Sequence, residues 1–287
     1  MAAAGSQVFD DPSLWRIMAR RPAVLIAVAV FALILLAAIF APLLAPADPA
    51  RMSVRARLTP PGGEYLLGTD AFGRDVLSRI LFAGRVSLTI GLGVAALSTV
   101  AGIVLGMLGG YFRALDAPIS RLIDAMMAFP DILLAISLVA IFGGSVTNVI
   151  IALSIVYTPR IARIVRAATL VIRELPFVEA ARALGSSTTT IMRQHILRNI
   201  VSPVVVQATF IFAYAMLAEA GLSFLGVGVN PAIPTWGTMI NEGRQTLDQA
   251  FYLIVFPGIA ISFAVLSLQM IGDGLRDALD PRLAKEA

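Results

Sequence analysis

PFVEAARALGSSTTTIMRQHILRN, residues 176–199, is the longest polar stretch between two long apolar runs of this sequence. Pro176 near its start, Glu179 in the first turn and the alanines that follow predict a short helix. Gly185 is expected to end that helix, because glycine adopts the left-handed conformation at a helix end without steric strain. A second helical pattern covers residues 188–199 and includes His195, the only histidine. Two short helices joined at a glycine, between two apolar runs, predict a docking element at a membrane surface.

The composition is that of a membrane protein. Of the 287 residues, 58% are hydrophobic and 14% are charged, whereas about a quarter of the residues of a soluble domain are charged. Cysteine is absent, so disulfides and thiolate metal sites are excluded. Lys285 is the only lysine and follows no glycine-rich loop, so the chain does not bind ATP through a Walker A motif. One histidine excludes an H-E-x-x-H metal site, and the net charge of +4 is attributed to arginines flanking membrane spans.

Apolar runs predict an all-α integral membrane protein with six transmembrane helices. The first run, residues 23–45, is uncharged and long enough to cross a bilayer about 30 Å thick. It is too long for the hydrophobic region of a cleaved signal peptide. The other five spans are expected at residues 86–112, 122–142, 149–165, 200–217 and 249–272.

The segment between the first two spans is predicted to hold an amphipathic helix on the outer surface. Val76, Leu77, Ile80 and Leu81 lie at helical spacing among polar residues. The chain is therefore expected to divide into residues 1–84, with the first span and this helix, and residues 85–281, with the other five spans.

The distribution of basic residues predicts that both termini lie on the cytoplasmic side. With the N-terminus inside, the inner segments hold 15 of the 22 basic residues and the outer segments hold 7. Inner segments of membrane proteins carry an excess of lysine and arginine. Residues 176–199 are therefore predicted to be cytoplasmic.

Four motifs follow one another on the predicted sides of the membrane. Glu179-Ala180-Ala181-x3-Gly185, followed by His195-Ile196-Leu197 and Asn199, resembles the EAA loop of ABC importer permeases. Together the motifs resemble the C-type permeases of dipeptide/oligopeptide (DppC/OppC-like) ABC importers, a family that includes nickel and glutathione systems. The resemblance covers roughly residues 15 to 283. The other motifs are Gly68-Thr69-Asp70-x2-Gly73-Arg74-Asp75, AEAGLSFLG at 218–226, and FPG at 256–258 with GDGLRDALDP at 272–281.

The resemblance implies a type I ABC importer permease fold with a cytoplasmic coupling (EAA) helix, in the inner membrane. It implies a heterodimer with a B-type permease, one or two kinds of P-loop ATPase subunit, and a periplasmic or lipid-anchored binding protein. It also implies that the chain is not an enzyme and binds no cofactor, since ATP and magnesium would be bound by the ATPase subunits.

The resemblance assigns the coupling role to the residues of the EAA loop, whose small side chains would permit close approach of the ATPase. The family usually has proline where Arg198 stands, so the geometry of the loop's end is left open. His195 is expected to pack or dock rather than to bind metal. The assigned coupling residues are Glu179, Ala180, Ala181, Ala183, Leu184, Gly185 and His195.

Three acidic residues in or near spans are candidates for a pathway or gating role. Asp124 and Asp131 are seven residues apart, so they are expected to share a helix face and to pair with Arg121 or with helix ends. For Glu219, a structural and a pathway role are left equal. Arg160, Arg163 and Arg166 are interpreted as a stripe facing lipid headgroups. The motif around Gly68 to Asp75 is expected to brace the outer face or to meet the partner permease.

Two other classes of protein remain as alternatives. A secondary transporter or channel is expected to show internal repeats or several ionisable residues within its spans, and this sequence shows few. A membrane-embedded enzyme is expected to show paired histidines, cysteines or an acid/base cluster. The identity of the transported substrate is left open by the sequence.

Overall fold

The computed structural model describes residues 21–279, and within this range the chain forms helices and no β-strand. Five helices are long and apolar enough to cross a membrane. They are α1 (Pro22–Ile39), α2 (Val76–Tyr111), α5 (Val146–Ile172), α7 (Thr188–Phe224) and α9 (Tyr252–Leu279). The shorter helices include α3 (Arg113–Met127), α4 (Asp131–Phe142), α6 (Pro176–Ala183) and α8 (Trp236–Arg244), and single helical turns lie at Ala41–Leu44 and Val54–Ala56.

The predicted third span is two helices rather than one. Helices α3 and α4 are separated by a short break and bent by 94°, and only as a pair do they pass as a sixth span. The break lies at Phe129 and Pro130, where the proline cannot continue the hydrogen-bonding of a preceding helix. The prediction of six spans therefore corresponds to five long helices and one bent pair.

Two helices predicted to be separate are continuous with spans. Residues 76–81 are the first turns of α2, which is 36 residues long, so no separate amphipathic helix lies there. The carboxylate of Asp75 caps this helix by accepting from the backbone N–H of Ser78 at 2.7 Å. Residues 188–199 likewise belong to the start of α7, which passes through a π-helical segment at Ile191–Leu197.

Helices α2 and α5 form the most closely packed pair. Gly102, Gly106 and Gly110 lie one turn apart on the face of α2 that meets α5. At each of them an added Cβ atom would approach within 2.6 Å of α5. Glycine therefore permits the two backbones to come together, as small residues do in membrane helix pairs.

Candidate functional site

The short helix α6 ends in a Schellman motif at Gly185. Gly185 has a φ of +80° and its N–H donates to the carbonyl of Arg182 at 3.0 Å. The N–H of Ser186 donates to the carbonyl of Ala181, also at 3.0 Å. These two bonds satisfy carbonyl groups that a helix end leaves free. The prediction that Gly185 ends the helix is confirmed.

Helix α6 has one buried side and one exposed side. Val178 is fully buried and Ala181 is 8% exposed, and both belong to the same apolar core as Ile191 and Ile196 of α7. The opposite side carries Glu179, Ala180 and Ala183, which are exposed, and the adjoining Leu184 is 86% exposed. The expectation that all the alanines form one docking face is therefore wrong for Ala181, which anchors the helix to its own chain.

The ends of α2 and α5 are linked next to α6. Arg173, which follows α5, donates a hydrogen bond to the carbonyl of Gly110 in α2 at 2.6 Å. The guanidinium of Arg182 in α6 lies 6.0 Å from the centre of the Tyr111 ring of α2. Helix α6 is thus attached to α7 through its buried side and to α2 through Arg182.

His195 lies in the π-helical segment and is half-buried. Its ring centre is 5.9 Å from that of Phe177 in α6, which agrees with a packing role. Arg198 is exposed, and the helix continues through it without a break. Within residues 21–279, no group of three or more His, Asp or Glu side chains could hold a metal ion.

Asp124 and Asp131 do not share a helix face, because they lie on the two arms of the bent pair α3 and α4. Neither forms an ion pair with Arg121 in the described part of the chain. Arg160 of α5 pairs with Asp131, and Arg163 pairs with Asp124 at 2.7 Å. The predicted pairing with Arg121 is therefore wrong for both carboxylates, whereas Asp131 does lie at a helix end, in the first turn of α4.

The three arginines of α5 form a ladder of ion pairs rather than a stripe facing lipid headgroups. Arg166 completes the ladder with Asp116 of α3, at 2.6 Å. The acidic partners run backwards along the chain as the arginines run forwards, because α5 packs antiparallel to the bent pair. No local motif marks Asp116 as a functional residue. The opposite order of the acidic and basic residues along the chain, however, indicates that Asp116 is the partner of Arg166.

Glu219 is buried and joins three helices. It is 1% exposed and accepts hydrogen bonds from the hydroxyls of Ser223 and Thr235, each at 2.8 Å. The hydroxyl of Ser87 in α2 donates to its other oxygen at 3.4 Å. Thr235 also caps α8 by accepting from the N–H of Thr238. The side chain therefore fixes α2, α7 and α8 to one another, which favours the structural role.

We expect glutamine to replace Glu219 with little loss of stability, and leucine to destabilise the fold by about 2 kcal/mol. The amide oxygen of glutamine accepts from Ser223 and Thr235 as the carboxylate does, whereas leucine leaves their hydroxyls buried without an acceptor. Thermal unfolding of Glu219→Gln and Glu219→Leu in detergent, followed by circular dichroism, measures the difference. Equal losses in the two variants would contradict this account.

The motif Gly68 to Asp75, which is predicted to lie on the outer side, forms a compact loop held by ionic contacts. Asp70 accepts from Arg74 at 2.6 Å and from Arg79 at 2.5 Å. Glu242 of α8 accepts from the same two arginines at 2.8 and 2.6 Å. Gly73 cannot be replaced without moving the chain, because an added Cβ would lie 1.9 Å from the carbonyl oxygen of Ser53.

This network lines a cavity of about 630 Å³, which Arg57 and Met52 also line. The two arginines and two carboxylates of the network are paired with one another. The network therefore braces the motif against α8. Arg79 and Glu242 were not among the candidate residues. Arg79 lies four residues after Asp75 in the sequence, but Glu242 is distant and only the fold brings it to the motif.

A multi-helix membrane domain with a short exposed helix, anchored between two spans and ended by a glycine, has the architecture of a transporter permease. The chain belongs to the family of binding-protein-dependent transport system inner membrane components, whose model matches residues 99–285. A second model, the N-terminal transmembrane domain of oligopeptide transport permease C, matches residues 13–61. The chain is thus the multi-pass membrane component of an ABC transport system.

Relatives with known names extend over most of the chain. A peptide transport system permease protein of Brucella suis is 48% identical, over 94% of this chain and 92% of its own length. A di/tripeptide transport system permease protein of Pseudomonas aeruginosa is 41% identical, over 100% of this chain and 97% of its own. A glutathione transport system permease protein of Pectobacterium atrosepticum is 41% identical, over 94% of this chain and 90% of its own length.

A solved structure of the methionine ABC transporter MetNI, in an inward-facing conformation, has a chain with the same fold. It aligns with a TM-score of 0.56 at 20% identity, and the alignment covers 70% of this chain and 97% of that one. The type I ABC importer permease fold that the resemblance implied is therefore confirmed.

Proposed function

We propose that this chain forms half of the translocation pathway of an ATP-driven importer for dipeptides or oligopeptides. Its other half would be a B-type permease, and a periplasmic or lipid-anchored binding protein would deliver the substrate. One or two kinds of P-loop ATPase subunit would bind ATP and magnesium and dock on residues 176–199. Both termini would lie in the cytoplasm, and the chain itself would perform no covalent chemistry.

The observation that carries the docking site is the two-sided construction of α6. Val178 and Ala181 fix the helix to the core, while Glu179, Ala180, Ala183 and Leu184 stand free on the other side. Leu184, with 86% of its surface exposed, is an apolar side chain for which contact with a partner is favourable.

The attachments of α6 give a route for motion. When ATP binding closes the ATPase pair, a helix held by α7 and by Arg182 on α2 moves as part of those spans rather than bending alone. The spans then rock as rigid bodies and alternate the access of the pathway. The Schellman motif at Gly185 prevents the helix from unwinding as it is pushed.

We expect Ala183→Trp to weaken association with the ATPase subunits by about tenfold or more, which corresponds to about 1.4 kcal/mol. The indole would stand on the exposed side of α6 and keep the ATPase from close approach, without disturbing the buried side. Co-purification of the ATPases with the tagged permease measures the effect.

Leu66→Trp is the matched control, because Leu66 is also exposed, at 64%, but lies two residues before Gly68, far from α6 in the chain. It is expected to retain the ATPases. If Ala183→Trp also retains them at wild-type levels and transport continues, the docking role of α6 is refuted.

Glutathione is the second candidate substrate, because one relative at 41% identity carries that name. Uptake of radiolabelled dialanine and of radiolabelled glutathione by proteoliposomes with the complete importer separates the two. Import of dialanine in preference to glutathione supports the peptide assignment, and the reverse preference overturns it.

A further inference from the structure

The ion pair between Arg160 and Asp131 lies about halfway through the helical bundle. Asp131 is the first residue of α4, which ends at Phe142, and Arg160 lies just past the middle of α5, which begins at Val146. Measured along the helix axes at about 1.5 Å per residue, Asp131 lies about 16 Å from Phe142 and Arg160 about 21 Å from Val146, and a bilayer core is about 30 Å thick. The two helix ends are joined by the short turn 143–145, so both lengths are measured from the same side of the bundle.

The end of α7 lies beside the same turn, since the N–H of Asn230 donates to the carbonyl of Gly144 at 2.8 Å. Tyr214 of α7 and Tyr157 of α5 each lie roughly three helical turns from this side of the bundle. The guanidinium carbon of Arg160 lies 5.3 Å from the ring centre of Tyr157 and 5.4 Å from that of Tyr214. The tyrosines hold the arginine by cation–π contacts that do not require Asp131.

The pair is open to its surroundings. The side chains of Arg160 and Asp131 are 34% and 40% exposed, whereas those of Arg79 and Asp70 in the outer network are 3% and 6% exposed. Next to the pair, at the break between α3 and α4, Phe129 is 61% exposed. In the single chain, a ligand at this surface therefore reaches both charged groups.

An unpaired charge in the middle of a membrane has a high free-energy cost. The ligand that such an ion pair accepts must therefore leave neither charge unpaired. A ligand with a single charge, positive or negative, would separate the two groups and leave one of them without a partner. A ligand with both an ammonium and a carboxylate replaces one ion pair by two and leaves the net charge at zero.

We propose that Arg160 and Asp131 form a mid-membrane subsite for small zwitterions, which deepens the proposed import function and rests on it. The carboxylate of the substrate binds Arg160 between the two tyrosines, and its ammonium binds Asp131. The internal ion pair breaks as the substrate enters and re-forms after it leaves. The class of substrate is a short peptide with free ends, and a bare metal cation does not fit.

Import by the complete importer in proteoliposomes tests the subsite, with three radiolabelled probes: dialanine, its C-terminal amide and its N-acetyl derivative. We expect Arg160→Gln to lower uptake of dialanine about tenfold and to leave uptake of the amide little changed, since the amide has no carboxylate to lose. Asp131→Asn is expected to lower uptake of dialanine and to spare the N-acetyl derivative. The binding protein is the same for each variant, so its own preferences cancel in these ratios.

Arg163→Gln and Asp124→Asn are the matched controls. Their ion pair is the next rung of the same ladder, but its side chains are 51% and 68% exposed and it carries no tyrosine pair. They are expected to leave all the ratios unchanged. Equal losses for free and blocked dipeptides in Arg160→Gln, or equal effects of the control pair, overturn the subsite. Failure of the wild-type importer to take up dialanine counts against the proposed function instead.

A second measurement tests whether the subsite exists without depending on transport. It applies when the binding protein does not deliver blocked peptides or when the importer takes up no dialanine. The chain has no cysteine, so Phe129→Cys, at an exposed position two residues before Asp131, gives this chain a single thiol next to the ion pair. In the purified permease–ATPase assembly without binding protein, millimolar dialanine is expected to slow reaction of this thiol with a maleimide, and the two blocked forms are not. Protection by all three probes, or by none, overturns the proposal. Leu66→Cys is the control and is expected to react at the same rate throughout.

Discussion

Arg79→Leu is expected to destabilise the fold by about 4 kcal/mol. The cluster of Asp70, Arg74, Arg79 and Glu242 is electrically balanced, with two positive and two negative side chains. Arg79 pairs with both carboxylates and is the most buried member of the cluster, with a side chain that is 3% exposed. Removing it leaves one negative charge of the cluster without compensation, next to the carboxylate of Asp70, which is only 6% exposed.

Thermal unfolding of the purified importer in detergent, followed by circular dichroism, measures the loss. Arg85→Leu is the matched control on the same helix, because Arg85 is exposed, lies over the Phe82 ring and forms no ion pair with any residue in the range 21–279. The double variant Arg79→Leu with Glu242→Leu restores the balance of charge and is expected to recover much of the loss. If the double variant is as unstable as the sum of the two single variants, the balance of charge is not what stabilises this cluster.

The coupling loop was predictable because its signals are local. Pro176 begins α6 and Gly185 ends it, and both act through backbone geometry that needs no distant partner. Residues 188–199 were wrongly predicted to form a helix separate from the following span, and this error also concerns a local signal. No glycine or proline separates Thr188 from Ile200, so the sequence itself contained no reason for that helix to stop before the span.

The charged clusters were predictable only in part, because each depends on which helices become neighbours. Asp124 and Asp131 were predicted to share a helix face, but the break at Pro130 places them on two different helices. The three arginines predicted to face lipid headgroups instead pair with acidic residues, because α5 packs against α3 and α4. Glu219 was recognised as unusual, yet two of the three hydroxyls that bind it come from residues 132 positions before it and 16 after it. Local pattern locates such charges and does not identify their partners.

Gly106→Leu is expected to cost about 3 kcal/mol or more, because it forces apart the closest helix pair of the fold. A Cβ atom at Gly106 would lie 2.6 Å from the carbonyl oxygen of Ala162 and 2.6 Å from the Cβ of Val165. The first of these neighbours is backbone, which cannot turn away as a side chain can. Helix α5 must therefore shift as a whole.

Such a shift of α5 is expected to impair transport as well as stability. Helix α5 carries Arg160 and ends beside α6, so moving it displaces the ion-pair ladder and the anchor of the docking helix together. We expect Gly106→Leu to lose transport, and the smaller Gly106→Ala to be intermediate in both unfolding temperature and transport. Gly258→Leu is the control, because nothing lies within 4 Å of a Cβ built at Gly258 in α9. Normal assembly, stability and transport in Gly106→Leu would mean that the spacing of α2 and α5 is not fixed by this glycine.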